Sequence, residues 1–489
     1  MASHHLGTLT SDGAVVGLMA QHLLHHGQLP AYFWGQSYGG SLEAVLVAGV
    51  FGVAGAGTAQ LLAATAFSSA LATLALWRTG RRVVGEPAAA IGALAFWVWP
   101  SDVLLRSLKP GGTYWLGLAL SLCAVNLLVR IHDGDDRPAV RAGAGVLAGL
   151  AFWSSPLSVQ LLVPALLWCA PALWRLGRRF GLVVLGALVG ALPAIVFGAQ
   201  HSWSNLRLPG GNGGILDGLA TRLYQFFRLE GPVALSLRTE GNFRWVEGAL
   251  GVVLWLAVLA ALLGLAYLVL TGRAKRCRLP LLTVALLPVL FASNSLSQHA
   301  GQGRYVLDGL SMAALLVGVG VERAGDALAH AWGRLNAQVV WTAALALLAI
   351  LGIATLAVDP AVTLAGFPAP DVPMPFDDSG LQALVAAHHV RFAYAPYWAS
   401  YRLSFETQES TIVSPDDFVR YVPFTEAVAA SRTPAYIFPS ASAAVGRVEA
   451  WCRAHHVAVE RWSRGGFTVL QPSTHLTPAR LGAGVLQPH

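Results

Sequence analysis

The hydrophobicity of this chain comes in blocks. Ten apolar segments, 57–77, 86–101, 113–130, 141–155, 158–174, 180–197, 248–270, 279–293, 304–322 and 338–358, carry almost no acids or bases inside them. About 20 apolar residues let a helix cross the hydrocarbon core, and shorter helices manage it when neighbours brace them. The pattern therefore predicts a polytopic helical membrane bundle of about ten spans over 57–358. Its least regular point is "FWSSPLSVQ" (152–160), which reads either as a kink in one long helix or as a turn between two short ones.

The polar positions between the blocks are of two kinds. The turns "RTGRR" (78–82), "RIHDGDDRPAVR" (130–141), "RLGRR" (175–179) and "GRAKRCR" (272–278), with a weaker segment at 323–334, hold most of the short-loop Arg and Lys. By the positive-inside rule they face the cytoplasm. The opposite side then receives the opening loop 1–56, the loop "SDVLLRSLKPGG" (101–112), the long loop 198–247, the turn "SNSLSQHAGQG" (293–303) and the tail 359–489. That tail is different material. Its "VRFAYAPYWASYRLSFETQESTIVS" alternates aromatic and polar positions and is followed by short Pro-punctuated segments, as expected of a small α/β domain outside the cytoplasm.

Composition agrees with this picture. Hydrophobic residues make up 55% of 489 and charged residues 12%, where soluble domains carry about 25% charged. The formal charge of +7 follows the basic turns and does not call for nucleic acid. Cys123, Cys169, Cys277 and Cys452 lack the paired spacing of a zinc site or a disulfide framework.

The first loop carries more chemistry than a connection needs. Residues 13–26 place Val16, Met19, Ala20 and Leu23 on one face and Gln21, His22, His25 and His26 largely on the other, the pattern of an amphipathic helix at a membrane surface, with Ser11 or Asp12 as its cap. A second apolar stretch, 41–54, reads as another interfacial helix. Between them lies "GQLPAYFWGQSYGGSLE", rich in Gly, aromatics, an amide and a carboxylate.

These elements, a carboxylate before an interfacial helix, "LPAYFWGQSYGGSLEA", "GQGRYVL" at the end of a span and "YAPYWASYRLSFETQE" in the tail, resemble the bacterial membrane glycosyltransferases of the GT-C superfamily, the family 39-like proteins related to protein O-mannosyltransferases and lipid A aminoarabinose transferase. The resemblance runs over nearly the whole chain. It implies an enzyme of the bacterial inner membrane, its active site facing outward, that moves a hexose or pentose from a polyprenyl-phosphate donor to a glycan, lipid or protein acceptor with inversion. It also implies that the first-loop carboxylate is the general base, and Asp12 is the only acid before Glu43. Some members use a divalent cation, so a metal stays open; no other cofactor is implied.

The chemistry asks for the same parts. A sugar on a lipid phosphate is already activated, so the protein must take a proton from the acceptor hydroxyl and neutralise the departing phosphate. Arg304 and Tyr305 stand at the outer end of a span, and Lys109 and Arg106 on a neighbouring loop could complete a cationic clamp for phosphate. Interface anchoring and snorkelling explain the same residues. Tyr32, Trp34, Gln36, Tyr38 and Glu43 suit a sugar or acceptor, aromatic faces packing on the ring and polar groups bonding its hydroxyls. In the tail, Tyr397, Trp398, Tyr401, Arg402 and Glu406 fall on a segment whose alternation predicts a strand, with Arg402 and Glu406 on one face. The histidine pairs at 4–5, 25–26, 388–389 and 455–456 have no HExxH spacing. A transporter or flippase for lipid-linked sugars is the alternative, and it calls for ionisable groups at mid-membrane and inverted repeats. Members of the superfamily start in the cytoplasm with one helix before the catalytic loop, so the resemblance leads to the expectation of a further upstream helix and of a lipid-exposed groove beside the first loop.

Overall fold

The computed structural model describes residues 9–98, 100–111, 113–206, 218–238, 243–245, 248–294, 297, 300–332, 337–358, 375, 377–415 and 417–481. Parts of the expected loops 198–247 and 293–303, of the segment 323–334 and of the tail's start lie outside these residues.

Every apolar block is helical. Ahead of the bundle come α1 (Ser11–His26) and α2 (Leu42–Ala54); the bundle itself runs α3 (Thr58–Val83), α4 (Glu86–Val98), α5 (Ser101–Leu108), α6 (Tyr114–His132), α7 (Pro138–Ser154), α8 (Val159–Arg175), α9 (Gly181–Gly190), α10 (Leu192–Gln200), α11 (Leu219–Gln225), α12 (Ala249–Leu270), α13 (Arg278–Ala292), α14 (Leu307–Trp332) and α15 (Ala337–Val358). By length and apolarity, five helical stretches among the described residues are long enough to cross a membrane, and α9 with α10, bent by 60°, can make a sixth. The expected ten are thus helices of which several are short, α4 with 13 residues and α13 with 15 among them. The break at 155–158 is real. Ser155 is extended, its hydroxyl accepts from the Leu157 N–H, and a 3-10 turn over Pro156–Ser158 leads into α8.

Small residues let these helices touch. A methyl group added at Gly145 or Gly149 of α7 would meet the Val183 or Ala187 carbonyl of α9, and one at Gly186 or Gly190 would meet α7, the small-xxx-small arrangement of membrane helix pairs. Outward faces stay apolar: Leu263, Leu270 and Trp174 are largely exposed, as lipid-facing side chains are.

The basic turns gather at one end of the bundle. Asn126 donates to the Arg78 carbonyl at 3.1 Å, Asp136 receives both Arg141 and Arg179, and Arg276 pairs with Glu322. Turns that are scattered in sequence therefore share one face of the molecule, which a single membrane surface can serve.

The carboxy-terminal domain is a mixed sheet with helices on both faces. After α16 (Ser379–Ala387) come β1 (Phe392–Tyr394), α17 (Tyr397–Glu406), β2 (Ile412–Ser414), α18 (Val422–Ala430), β3 (Ala435–Pro439), α19 (Ala443–Ala454), β4 (Val459–Arg464) and β5 (Phe467–Pro472). Strand order is β2-β1-β3-β5-β4, the first three parallel and β5 antiparallel to both neighbours. Period-two alternation sends Ala435 and Ile437 to one core and Tyr436 and Phe438 to the other.

Two expectations are overturned here. The segment 397–406, read as a strand, is helix α17. Tyr397, Tyr401 and Phe405, four residues apart, enter the core around α1, while Ala399 and Leu403 enter the core of the sheet. Burial on two faces imitates alternation. Arg402 and Glu406 do share a face, because four residues make about one helical turn. Nor is α1 a surface helix: Ser11 and Gly13 to His22 are all buried, α2 covering one side and α17 another. The first loop and the carboxy-terminal domain thus share one hydrophobic core.

Candidate active site

Asp12 is the second residue of α1, yet it does not cap the helix. Thr10 does, its hydroxyl accepting from the Gly13 N–H at 3.1 Å. That frees the carboxylate, which turns toward the carboxy-terminal domain. The Tyr397 hydroxyl donates to Asp12 Oδ1 at 2.5 Å, and Arg420 Nη2 lies 3.4 Å from the same oxygen. Arg420 Nε donates to the Tyr397 hydroxyl at 3.0 Å, closing a triangle. Asp12 Oδ2 has no hydrogen bond among the described residues, and the side chain keeps 25% exposure.

The second cation comes from the bundle. Arg304 sits in the 3-10 turn Gly303–Val306 that opens α14, donating to Gln302 Oε1 at 2.5 Å and to the Tyr305 hydroxyl at 3.1 Å, with its guanidinium 4.9 Å from the Tyr305 ring. Its Nε is buried and has no hydrogen-bond partner among the described residues. Tyr38, Tyr114 and Tyr305 lie within electrostatic reach of Arg304, and both Arg304 and Tyr38 within reach of Asp12. Burial first, then Tyr114, pushes the Tyr38 phenol up and keeps it protonated. Gln160 of α8 holds the turn in place, donating to the Tyr305 carbonyl at 2.5 Å and accepting from the Gly309 N–H at 3.1 Å.

The remaining expected residues divide. The Gln36 amide faces Arg420, and the amide orientation that satisfies both groups puts its oxygen 2.5 and 3.2 Å from Nη1 and Nη2. Lys109 lies on the loop whose Pro110 carbonyl packs against the first turn of α1, and Arg106 and Arg402 are near it. Burial, then these two arginines, hold its ammonium below the usual lysine range. Three of the first-loop residues have surroundings of their own. Tyr32 accepts from Asn205 at 3.0 Å in a separate cluster with Trp153, Trp34 stacks on Tyr421 at 3.9 Å, and Glu43 is 3% exposed with both carboxylate oxygens unpartnered among the described residues, burial pushing it up to about 8. In α17, Trp398 packs edge-on to Tyr397, and the Tyr401 hydroxyl accepts from the Arg420 and Tyr421 N–H groups at 2.7 and 3.2 Å. Arg402 pairs with Asp378 at 2.8 Å and Glu406 at 3.7 Å, and Gln382 donates to both carboxylates.

Glycine answers part of why the first loop is as it is. Gly35 has φ +68, and a methyl group there would stand 2.7 Å from Arg420 Cα, so only glycine lets the two backbones meet.

A divalent cation does not fit these donors. Among the described residues no three His, Cys, Asp or Glu side chains gather, and the neighbours of Asp12 are a phenol that donates to it and a guanidinium that would repel the ion.

Sequence reasoning missed Arg420 and Tyr114. Arg420 lies 408 positions from Asp12 in "FVRYVPF", a stretch whose only charge is that arginine.

No family model matches the chain, and no curated protein is similar to it in sequence. The fold is similar to the crystal structure of ArnT from Cupriavidus metallidurans bound to undecaprenyl phosphate, with a TM-score of 0.58 at 14% identity over 100% of this chain and 97% of that one. The apo structure of the same ArnT matches at 0.59 and 13% identity over 94% and 93%. At such identity the likeness shows the fold alone, a helical membrane bundle carrying a carboxy-terminal mixed sheet.

Proposed function

We propose that this chain is an inverting glycosyltransferase that moves a sugar from a polyprenyl-phosphate donor to a cell-envelope acceptor at the outer face of the membrane. The observation that carries it is Asp12: a carboxylate held by one oxygen, open at the other, with guanidinium groups from two parts of the chain around it. It stands away from the basic turns, as a site on the outer face requires.

In the proposed reaction, Asp12 Oδ2 accepts the proton of the acceptor hydroxyl as its oxygen attacks the sugar C1. The bond from C1 to the phosphate oxygen breaks on the opposite face, its electron pair leaving with the lipid phosphate. Arg304, poised with an unused Nε, stabilises that charge, and Lys109 extends the cationic wall. The likeness to ArnT, which binds undecaprenyl phosphate, supports a lipid-phosphate donor. In this reading Gln36 and Tyr38, both near Arg420, meet the sugar.

Purified protein in lipid nanodiscs, given a panel of polyprenyl-phosphate sugars and envelope acceptors, should release polyprenyl phosphate in step with glycosylated product. If no donor is consumed while intact lipid-linked sugar crosses the bilayer of proteoliposomes, the chain is a transporter.

A further inference from the structure

We infer that the carboxy-terminal domain completes the catalytic base, Tyr397 and Arg420 acting as positioning residues that hold Asp12 by Oδ1 and leave Oδ2 to the acceptor. This rests on the transferase reading above and names the part of the chain on which its proton transfer depends.

The geometry argues for positioning over mere cohesion. An arginine placed for stability is best used bidentately against its carboxylate. Arg420 instead directs both Nη atoms at the Gln36 amide, gives Nε to Tyr397, and touches Asp12 with one nitrogen at 3.4 Å. A close double contact would cover both carboxylate oxygens and weaken Asp12 as a base; this one covers neither fully. The stronger contact, 2.5 Å from Tyr397, fixes the carboxylate rotation.

Arg420 is itself held from every side. Its N–H and that of Tyr421 are fixed by the Tyr401 hydroxyl, its guanidinium lies 5.3 Å from the Phe33 ring and 5.5 Å from the Tyr397 ring, and Gly35 presses on its Cα. Phe33, Gly35 and Gln36 belong to the first loop, Tyr397 and Tyr401 to α17. The triangle therefore exists only while the domain is docked. Docking is secured beside it: Ser11 Oγ donates to the Tyr397 carbonyl, Trp34 stacks on Tyr421, and His22 meets Glu409 at 2.8 Å. Sugar transfer is in this way tied to the closed seam between the first loop and the carboxy-terminal domain.

The test uses the full chain in nanodiscs with a donor that the wild type turns over. Arg420→Gln and Tyr397→Phe should each lower kcat by about 10- to 100-fold, within the range of general-base effects, with donor affinity changed less than twofold. Arg420→Lys should recover part of kcat. In an Asp12→Asn background, Arg420→Gln should cost nothing further, because a residue acting through Asp12 has nothing left to position. An equal further loss in that background, an unchanged kcat, or weakened donor binding at unchanged kcat would each overturn the positioning role while leaving the transferase reading intact. A wild type that consumes no polyprenyl-phosphate sugar would overturn the transferase reading and this role with it.

Discussion

Replacing Gly17 by alanine separates two opposed effects in one residue. Gly17 is in the middle of α1, where Gly→Ala ordinarily stabilises a helix by about 1 kcal/mol. Here an added Cβ would stand 2.4 Å from Phe405 Cε2, 2.8 Å from Cδ2 and 2.9 Å from Cζ. Carbon atoms rest at about 3.5–4.0 Å, so the ring would have to retreat by about 1 Å. It has nowhere to go: Phe405 is 2% exposed and stacks on Phe51 at 6.0 Å between centroids. Overpacking of this kind costs about 1–3 kcal/mol, and a walled-in ring belongs at the upper end. The net expectation is a loss of about 1–2 kcal/mol. Gly446 supplies the control, since it is an exposed residue of α19 whose added Cβ would meet nothing within 4 Å. Thermal unfolding of the detergent-solubilised chain should show Gly17→Ala melting a few degrees below wild type and Gly446→Ala at or slightly above it. Phe405→Leu should rescue part of the Gly17→Ala loss. Gly17→Ala melting as high as Gly446→Ala would refute the close packing of α1 on α17, and with it the seam that brings Tyr397 to Asp12.

The other predictions read the same seam and the site. His22 lies against Glu409; burial alone would lower its pKa, but the hydrogen bond and charge of Glu409, with Gln28, raise it above 6.5. The pair therefore stabilises fully below about pH 6.5 and fades as pH rises through the raised value, so the melting gap between wild type and His22→Gln, worth about 1–2 kcal/mol at pH 6, should shrink by pH 9; a constant gap would refute the pair. Trp34→Ala should loosen the carboxy-terminal domain to limited proteolysis and leave donor KM nearly unchanged, whereas a raised KM with an intact seam would make Trp34 a sugar platform. Arg304→Ala should weaken donor binding at least about tenfold, the worth of a charged hydrogen bond, with Arg304→Lys recovering only part because the guanidinium fork is lost; unchanged binding in both would return Arg304 to interface anchoring.

What the sequence could reveal followed from how local each signal is. Apolar runs bounded by basic turns mark the long bundle helices, and "SSP" marks the break before α8, because membrane helices are written in consecutive residues; the short α5 and α11 escape, lying in stretches that read as the loops 101–112 and 198–247. The cap of α1 lies one or two positions before the expected Ser11 or Asp12, and that matters: with Thr10 as cap, Asp12 is released for chemistry. The strand reading of 397–406 failed because both faces of α17 are buried, although Tyr397, Tyr401 and Phe405 carried a four-residue spacing that could have given it away. The composition that makes Trp34 and Tyr32 candidate sugar contacts does not reveal that one also stacks on Tyr421 and the other also bonds Asn205. Arg420 was illegible for a simpler reason. Its meaning lies in Asp12, at the other end of the chain, and nothing in its own neighbourhood records that meeting.

The central claim is that Asp12 takes the acceptor's proton. Its most direct test is single-turnover transfer by Asp12→Asn in nanodiscs loaded with a radiolabelled polyprenyl-phosphate sugar, with donor binding measured on the same preparation. The amide keeps the shape but cannot accept the proton, so binding should persist while transfer falls by at least about a hundredfold. Transfer at near wild-type rate with donor bound would contradict the assignment of Asp12 as the base.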